Sequence, residues 1–319
     1  MSNILNITNG DCAVEIMNKA GIPGEFLPWR DVLHEGPVPE KLSLEELSKV
    51  RAKFIADQGW GDAEEIHQSF KERDNTLVSY KDYEKVILWF EHDLYDQLQM
   101  LQILDWFQGH KCKETTLSLI CIDQYLGMLT PDEMTSLFKH EVPISDDQLE
   151  LAQRSWAAFR EKTPEKWSAL LKEDTSALQF LEGAIVRMLE EFPSQSNGLS
   201  RTEQQALKII SDGEKRPGRI FGHNQELEER VFLGDSSFWN ILHGFLESSP
   251  SLLTLAEGKE LTLPTSPDQE LIITSEGKDI LSGKRNWIDI KQLNRWIGGV
   301  HLTQDNVWCW DNSDGIKKF

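Results

Sequence analysis

The sequence predicts an α/β protein: an N-terminal domain on a Rossmann-like, mostly parallel sheet, a helical segment packed on it, and a small α+β C-terminal domain of winged-helix-like order. Three observations carry this expectation. Short strand-like runs alternate with helical patterns up to residue 122, the pattern over 131–192 is wholly helical, and Pro-Ser-Gln-Ser-Asn-Gly at 193–198 has linker composition. The expected divisions are 1–130, 131–196 and 197–319. A chain of 319 residues has room for two cores, since single cores rarely grow past about 250–300 residues.

The first strand is read at residues 4–8 and ends in Thr8-Asn9-Gly10-Asp11. A helical pattern follows over 12–20 and closes at Gly21, a residue type that tolerates the left-handed turn of a helix C-terminus. Residues 26–29 form the second strand, and a loop runs from Arg30 to Pro37. Ser43 with Glu46 three residues on is a capping box, opening a helix with Leu47, Val50 and Phe54 on one face. The third strand, 85–90, passes into a helix over about 93–107, and the fourth, 117–122, stops at Asp123-Gln124. Leu149, Ala152, Trp156 and Phe159 then recur at helical spacing and read as packing rather than as a ligand box.

Ser200 and Glu203 repeat the capping-box pattern, with Ala206, Leu207 and Ile210 inward. Asp235 is read as the cap of a helix over 236–246. Strands at 252–255 and 270–274, a helix at 275–281 and a terminal hairpin of 296–302 with 307–310 complete the chain. Three helices and then a hairpin is the order of a winged helix-turn-helix, an order that plain α+β domains share.

Composition narrows the classes of function. No run approaches the ~20 apolar residues that cross a bilayer, and Met1-Ser2-Asn3 lacks the features of a secretory signal, so a cytoplasmic protein with no membrane partner is expected. Cys12, Cys112, Cys121 and Cys309 show no CxxC or CxxH spacing; the first three read as small core residues, and a zinc site is not expected. Net charge is −20, unevenly spread: up to Ser196 there are 19 basic and 35 acidic side chains, and 14 and 18 after it. Such an excess repels a nucleic-acid backbone and disfavours nucleic acid as a partner. Arg216, Arg219, Lys284, Arg285, Lys291 and Arg295 are the C-terminal residues from which a phosphate-binding face would be built, and Trp287, Trp296, Trp308 and Trp310 read as core.

Chemistry is expected where the strands end, because ligands of open parallel sheets bind beyond the strands' carboxyl ends. Each proposed strand ends in polar residues. Asn9 and Asp11 follow the first, Arg30, Asp31, His34 and Glu35 the second, Glu91, His92 and Asp93 the third, and Asp123 and Gln124 the fourth. Gly10 would let backbone N–H groups approach a phosphate, or else the turn is a plain one capped by Asp11. Glu91-His92-Asp93 directly after Val-Ile-Leu-Trp-Phe must find solvent, partners or a ligand, since isolated buried charge is costly. With Asp11 and Asp31 these residues suit a magnesium ion. Asp93 is alternatively a helix cap. His34 reads as a general acid or base or as a surface histidine, Arg51 as a clamp for an anion or, in preference, as part of a solvated helix face, and Gln97, Gln99 and Gln102 as a polar helix face.

Several of these segments occur together in a known pattern: Ile7-Thr8-Asn9-Gly10-Asp11, Trp29-Arg30-Asp31, His34-Glu35-Gly36-Pro37-Val38 and Leu88 to Leu94. Trp156 to Arg160, Pro193-Ser194, Gly198 to Glu203, Arg295 to Leu302 and Trp308 to Asp311 extend it over nearly the whole chain. In these motifs the chain resembles the bacterial family of domain of unknown function 1835. The resemblance implies a bacterial cytoplasmic protein and rim motifs shared within the family; it implies no activity.

The residues favour a domain that binds a nucleotide or another phosphate-bearing small molecule at the strand-end rim and hydrolyses it or transfers from it. Asp93, His92, Glu91 and His34 are the candidate catalytic groups; Asn9, Gly10, Asp11, Arg30, Asp31 and Asp123 are the candidate ligand-binding groups. Two other classes compete. One is a ligand-sensing regulator touching nucleic acid through its C-terminal domain, which a basic face there would favour; the other is an interaction scaffold without chemistry.

Overall fold

The computed structural model describes residues 3–256, 261–262, 266 and 268–319. The chain divides into two compact units, Met1–Ile185 with Trp296–Val300, and Val186–Arg295 with His301–Phe319.

The first unit runs β1 (Ile4–Thr8), α1 (Asp11–Lys19), β2 (Glu25–Pro28), α2 (Leu44–Asp57), α3 (Ala63–Val78), β3 (Lys85–Phe90), α4 (Leu94–Gly109), β4 (Thr116–Cys121), α5 (Pro131–Phe138), β5 (Val142–Pro143), α6 (Asp146–Phe159) and α7 (Glu165–Ala169). Helix α8 (Leu181–Leu189) then leads into the second unit. The strands form one sheet in the order β2-β1-β3-β4-β5. Its first four members are parallel and β5 is antiparallel. The mostly parallel sheet expected from sequence is therefore present.

Two elements of this unit escape the sequence pattern. Residues 63–78 were assigned no element, yet form a helix whose cap, Asp62, accepts from the Glu64 and Glu65 amides. The stretch read as wholly helical contains β5, whose two residues are too few to show a period. Its Pro143 lacks an N–H and so belongs at a sheet edge, where β5 lies.

One face of the sheet packs Ile4, Ile87, Trp89 and Ile120 against Ala13 and Met17 of α1 and Met134 of α5. Helix α4 carries no charged residue between Asp96 and Asp105 and is buried almost throughout, as expected of a helix without a polar stripe. This corrects the reading of Gln97, Gln99 and Gln102 as a polar face: all three are buried. Gln97 Nε2 donates to the Glu91 carbonyl at 2.7 Å, and Gln99 Nε2 to the Asp31 carbonyl at 2.7 Å. Gln102 Oε1 accepts from Trp29 Nε1 at 2.8 Å. The three amides fasten the ends of β2 and β3 to α4.

The second unit contains α9 (Arg201–Ser211), α10 (Pro217–Glu226), α11 (Asp235–Glu247), β6 (Leu253–Leu255), β7 (Leu271–Ile273) and α12 (Ser275–Leu281); β8 (Asn294–Ile297) and β9 (Val300–Thr303) fall across the division, since Trp296–Val300 belongs to the first unit, and β10 (Trp308–Asp311) and β11 (Gly315–Lys318) return to the second. Strands β6 and β7 form an antiparallel pair directly after three helices. The expected single terminal hairpin is instead two, β8 with β9 and β10 with β11. The run 296–302 breaks at Gly298, where φ is +57° and a Cβ would stand 2.4 Å from the Phe159 carbonyl oxygen, so that only glycine fits. The cap of α11 is Gly234 rather than Asp235, which binds the adjacent Ser236 amide at 2.7 Å. Cys12 is exposed and Cys112 and Cys121 are half-buried, against the core reading; Cys309 is buried. No helix among the described residues is long and apolar enough to cross a membrane.

The 193–198 stretch lies inside the second unit as a tight turn. The Gly198 amide donates to the Ser194 carbonyl and the Ser194 amide to the Leu199 carbonyl, each at 2.9 Å. Gly198 has φ +75°, and a Cβ there would stand 2.3 Å from Asn286 Oδ1. Its polar composition reflects turn chemistry rather than a mobile link. Gly198→Ala is expected to destabilise the protein by about 1–3 kcal/mol in urea denaturation; an unchanged midpoint would mean that the turn yields freely.

Candidate functional site

The chain leaves β1 toward β2 on one side, and connects β3 to β4 on the other. The carboxyl ends of β1 and β3 therefore flank the point where the strand order reverses, the usual crevice for ligands in this architecture. Asn9 follows β1, and Glu91, His92 and Asp93 follow β3.

Three carboxylates meet there. Glu91, Asp93 and Asp96 are buried, and one oxygen of each lies within 4.8 Å of the others. Asp93 is the N-cap of α4, its carboxylate accepting from the Asp96 amide at 3.2 Å. Capping turns the first helical turn so that Asp96, three residues on, comes back over the strand end. Asp96 Oδ1 accepts from the Glu91 amide at 2.7 Å. Asn9 Nδ2 bridges Glu91 Oε1 at 3.1 Å and Asp96 Oδ2 at 2.9 Å. The Leu126 amide donates to Glu91 Oε1 at 2.7 Å.

Neutral donors do not balance three charges, and among the described residues no lysine or arginine forms an ion pair with any of the three. Burial, then the Glu91 charge, pushes Asp93 up to about 7. Burial likewise raises Glu91, and burial with the charges of Asp93 and Asp96's other neighbour Glu91 raises Asp96 well above the carboxylate range. Such a cluster holds protons or a cation.

The other residues singled out from sequence divide among separate environments. Arg30, at φ +46°, turns its guanidinium onto Asp11, donating at 2.8 and 2.5 Å, so this exposed pair serves itself rather than the cluster. That hydrogen bond, against a smaller effect of burial, lowers the Asp11 carboxyl. Asp11 is the first residue of α1 and Gly10 its cap, so Asp11 is not the cap. Gly10 is extended and has open space where a Cβ would stand, so nothing in the chain itself requires glycine. Asp123 is exposed beyond β4.

Asp31 and Arg51 form a fully buried ion pair at 2.9 Å, which corrects the reading of Arg51 as solvated. Arg51 also donates to the carbonyls of Val32 at 2.9 Å and Glu35 at 2.6 Å, fixing the loop that carries His34. His34 is buried, with Nε2 3.3 Å from Glu35 Oε1 and its ring edge-on to Tyr95 at 6.0 Å. His92 packs against the rings of Tyr125 at 5.2 Å and Phe180 at 5.9 Å.

Sequence reasoning missed Asp96 and Tyr95. Asp96 stands at the third helical position after a capping Asp93, a spacing that could have placed both carboxylates together. Tyr95 lies between the two groups, sensing the charges of Asp96, Asp31 and Asp93. No family model matches the chain, and no curated protein matches it.

The cluster makes stability depend on pH. Carboxyls raised in the folded state hold more protons than in the unfolded chain, so their stabilisation is complete below about pH 4 and is lost as pH climbs through about 7. Without divalent metal, unfolding free energy is expected to fall between about pH 5 and about pH 8, and to fall less in the Glu91→Gln, Asp96→Asn double variant. Equal slopes for the two proteins in urea denaturation would contradict this.

Proposed function

We propose that the first unit binds a phosphate-bearing small molecule, with a nucleotide the foremost class, in the crevice beyond β1 and β3, through a magnesium ion held by Glu91, Asp93 and Asp96. The observation that carries this reading is a buried triad of carboxylates within 4.8 Å, bridged by Asn9 and without a basic partner among the described residues. Magnesium prefers carboxylate oxygens and keeps coordination positions for water and phosphate oxygens. Bound there, it would offset the like charges and polarise a phosphate. His34, held on a loop anchored by Arg51 and set against Tyr95, supplies an imidazole for proton transfer during hydrolysis or transfer. We place such a protein in the cytoplasm, and retain the resemblance to the family of domain of unknown function 1835 as part of the proposal.

The test is calorimetric titration of nucleoside mono-, di- and triphosphates with and without magnesium, paired with a phosphate-release assay. Magnesium-dependent binding abolished by Asp93→Asn supports the reading. Binding that ignores both magnesium and this substitution removes the triad from it.

The second unit's order of three helices followed by the antiparallel β6–β7 pair supports a winged-helix-like reading. Nucleic-acid contact gains little from it. Helix α11, in the position of a recognition helix, contains no lysine or arginine. Arg219, Lys284, Arg285, Lys291 and Arg295 are each in an ion pair with a carboxylate. We therefore expect no tight nucleic-acid binding at physiological salt, checked by fluorescence anisotropy with duplex DNA and single-stranded RNA; nanomolar binding would reverse the assignment.

A further inference from the structure

A groove of about 680 Å³ in the first unit lies among α2, α3 and the end of α4, and none of its lining residues belongs to the carboxylate cluster or to the loop that carries His34. This volume is within the range of small-molecule sites, about 300–1,000 Å³. Its apolar lining comes from Leu44, Phe70, Val78 and Trp106. Val78 is 61% exposed at the end of α3 and so offers its methyl groups to the groove. Trp106 is stiffened from one side by His110, stacked at 4.1 Å and 10°, and meets Tyr80 edge-on at 5.4 Å.

The polar lining reverses the sign of the chain as a whole. Lys49, Lys71 and Lys81 border the groove, although the protein carries −20. Two carboxylates face it, and each is already matched. Glu45 is paired with Lys49 at 2.7 Å. Asp74 accepts from the Arg73 guanidinium at 2.9 Å, and that guanidinium is itself sandwiched over the rings of Trp29 at 4.0 Å and Phe70 at 4.3 Å. Lys71 and Lys81 are exposed and belong to no ion pair among the described residues. Lys71 feels the Glu45 charge and Lys81 the Glu114 charge only through space, and an apolar, aromatic floor with unbridged ammonium groups at its rim favours an occupant that is flat at one end and anionic at the other.

We infer that this groove is a second binding site, taking a planar aromatic anion with its ring against Phe70, Val78 and Trp106 and its charged group between Lys71 and Lys81. The site is independent of the triad and of the function proposed for it.

The test uses 8-anilinonaphthalene-1-sulfonate as probe, with N-phenyl-1-naphthylamine, which has the same rings without the sulfonate, as the uncharged comparison. The folded protein is expected to bind the sulfonate saturably, one per chain. The Lys71→Glu, Lys81→Glu double variant, altered only at exposed positions, is expected to bind it at least ~10-fold more weakly, as loss of two charge contacts implies, while binding the uncharged probe unchanged. Glu91→Gln with Asp96→Asn should leave sulfonate binding as in the parent protein, so that failure here and failure of the triad read separately. Non-saturable binding, equal affinity in the lysine variant, or equal loss of both probes would overturn the inference.

Discussion

Arg51→Ala is expected to lower the unfolding free energy by about 3–5 kcal/mol, the usual cost of stranding one partner of a buried ion pair. Arg51 and Asp31 have no solvent exposure, and the substitution would also free the Val32 and Glu35 carbonyls that the guanidinium satisfies. Since Arg51 holds the loop on which His34 stands, the variant should also fail in the phosphate-release assay of the proposed function even under conditions where it remains folded. Asp31→Asn, which keeps an acceptor but removes the charge, should cost less than Asp31→Ala. Urea denaturation checks the series; a loss under ~1 kcal/mol for Arg51→Ala would place the pair in a wetter setting than the structure shows.

Replacing Glu91 by Gln and Asp96 by Asn together is expected to weaken manganese or magnesium binding by roughly 100-fold or more, since two of three anionic ligands are lost. The same variant should be more stable than the parent at about pH 8 when metal is chelated, because two raised carboxyls no longer oppose folding. A site that sacrifices stability for binding shows this opposition of effects. Loss of stability without metal, with metal affinity unchanged, would make the carboxyls a proton-sharing structural network instead.

The legible part of this protein is the part governed by short periods. Strands β1, β3 and β4 were visible as runs containing β-branched residues and β2 as a short apolar run, and the capping boxes at Ser43 and Ser200 stand where the spacing put them. Edge strand β5 was too short to show a pattern, and the break between β8 and β9 depends on tight packing around Gly298 that no local signal encodes. The carboxylate site was half legible. Glu91 and Asp93 stood out because charges follow a buried strand, whereas Asp96 looked like an ordinary acidic residue of a first helical turn. Arg51 and the glutamines of α4 were misread for one reason: polar side chains on a helix were taken to face water. Their real partners are main-chain carbonyls and carboxylates that only the tertiary fold brings near.

The central claim is that Glu91, Asp93 and Asp96 hold a divalent cation, and anomalous diffraction from crystals soaked in manganese chloride at about pH 8 tests it most directly. The account predicts a single strong peak at the end of β3, bonded at about 2.0–2.2 Å to oxygens of all three residues, and missing from the double variant. A parent crystal with no peak there, its Glu91 and Asp96 carboxyls still bridged by Asn9, would contradict it.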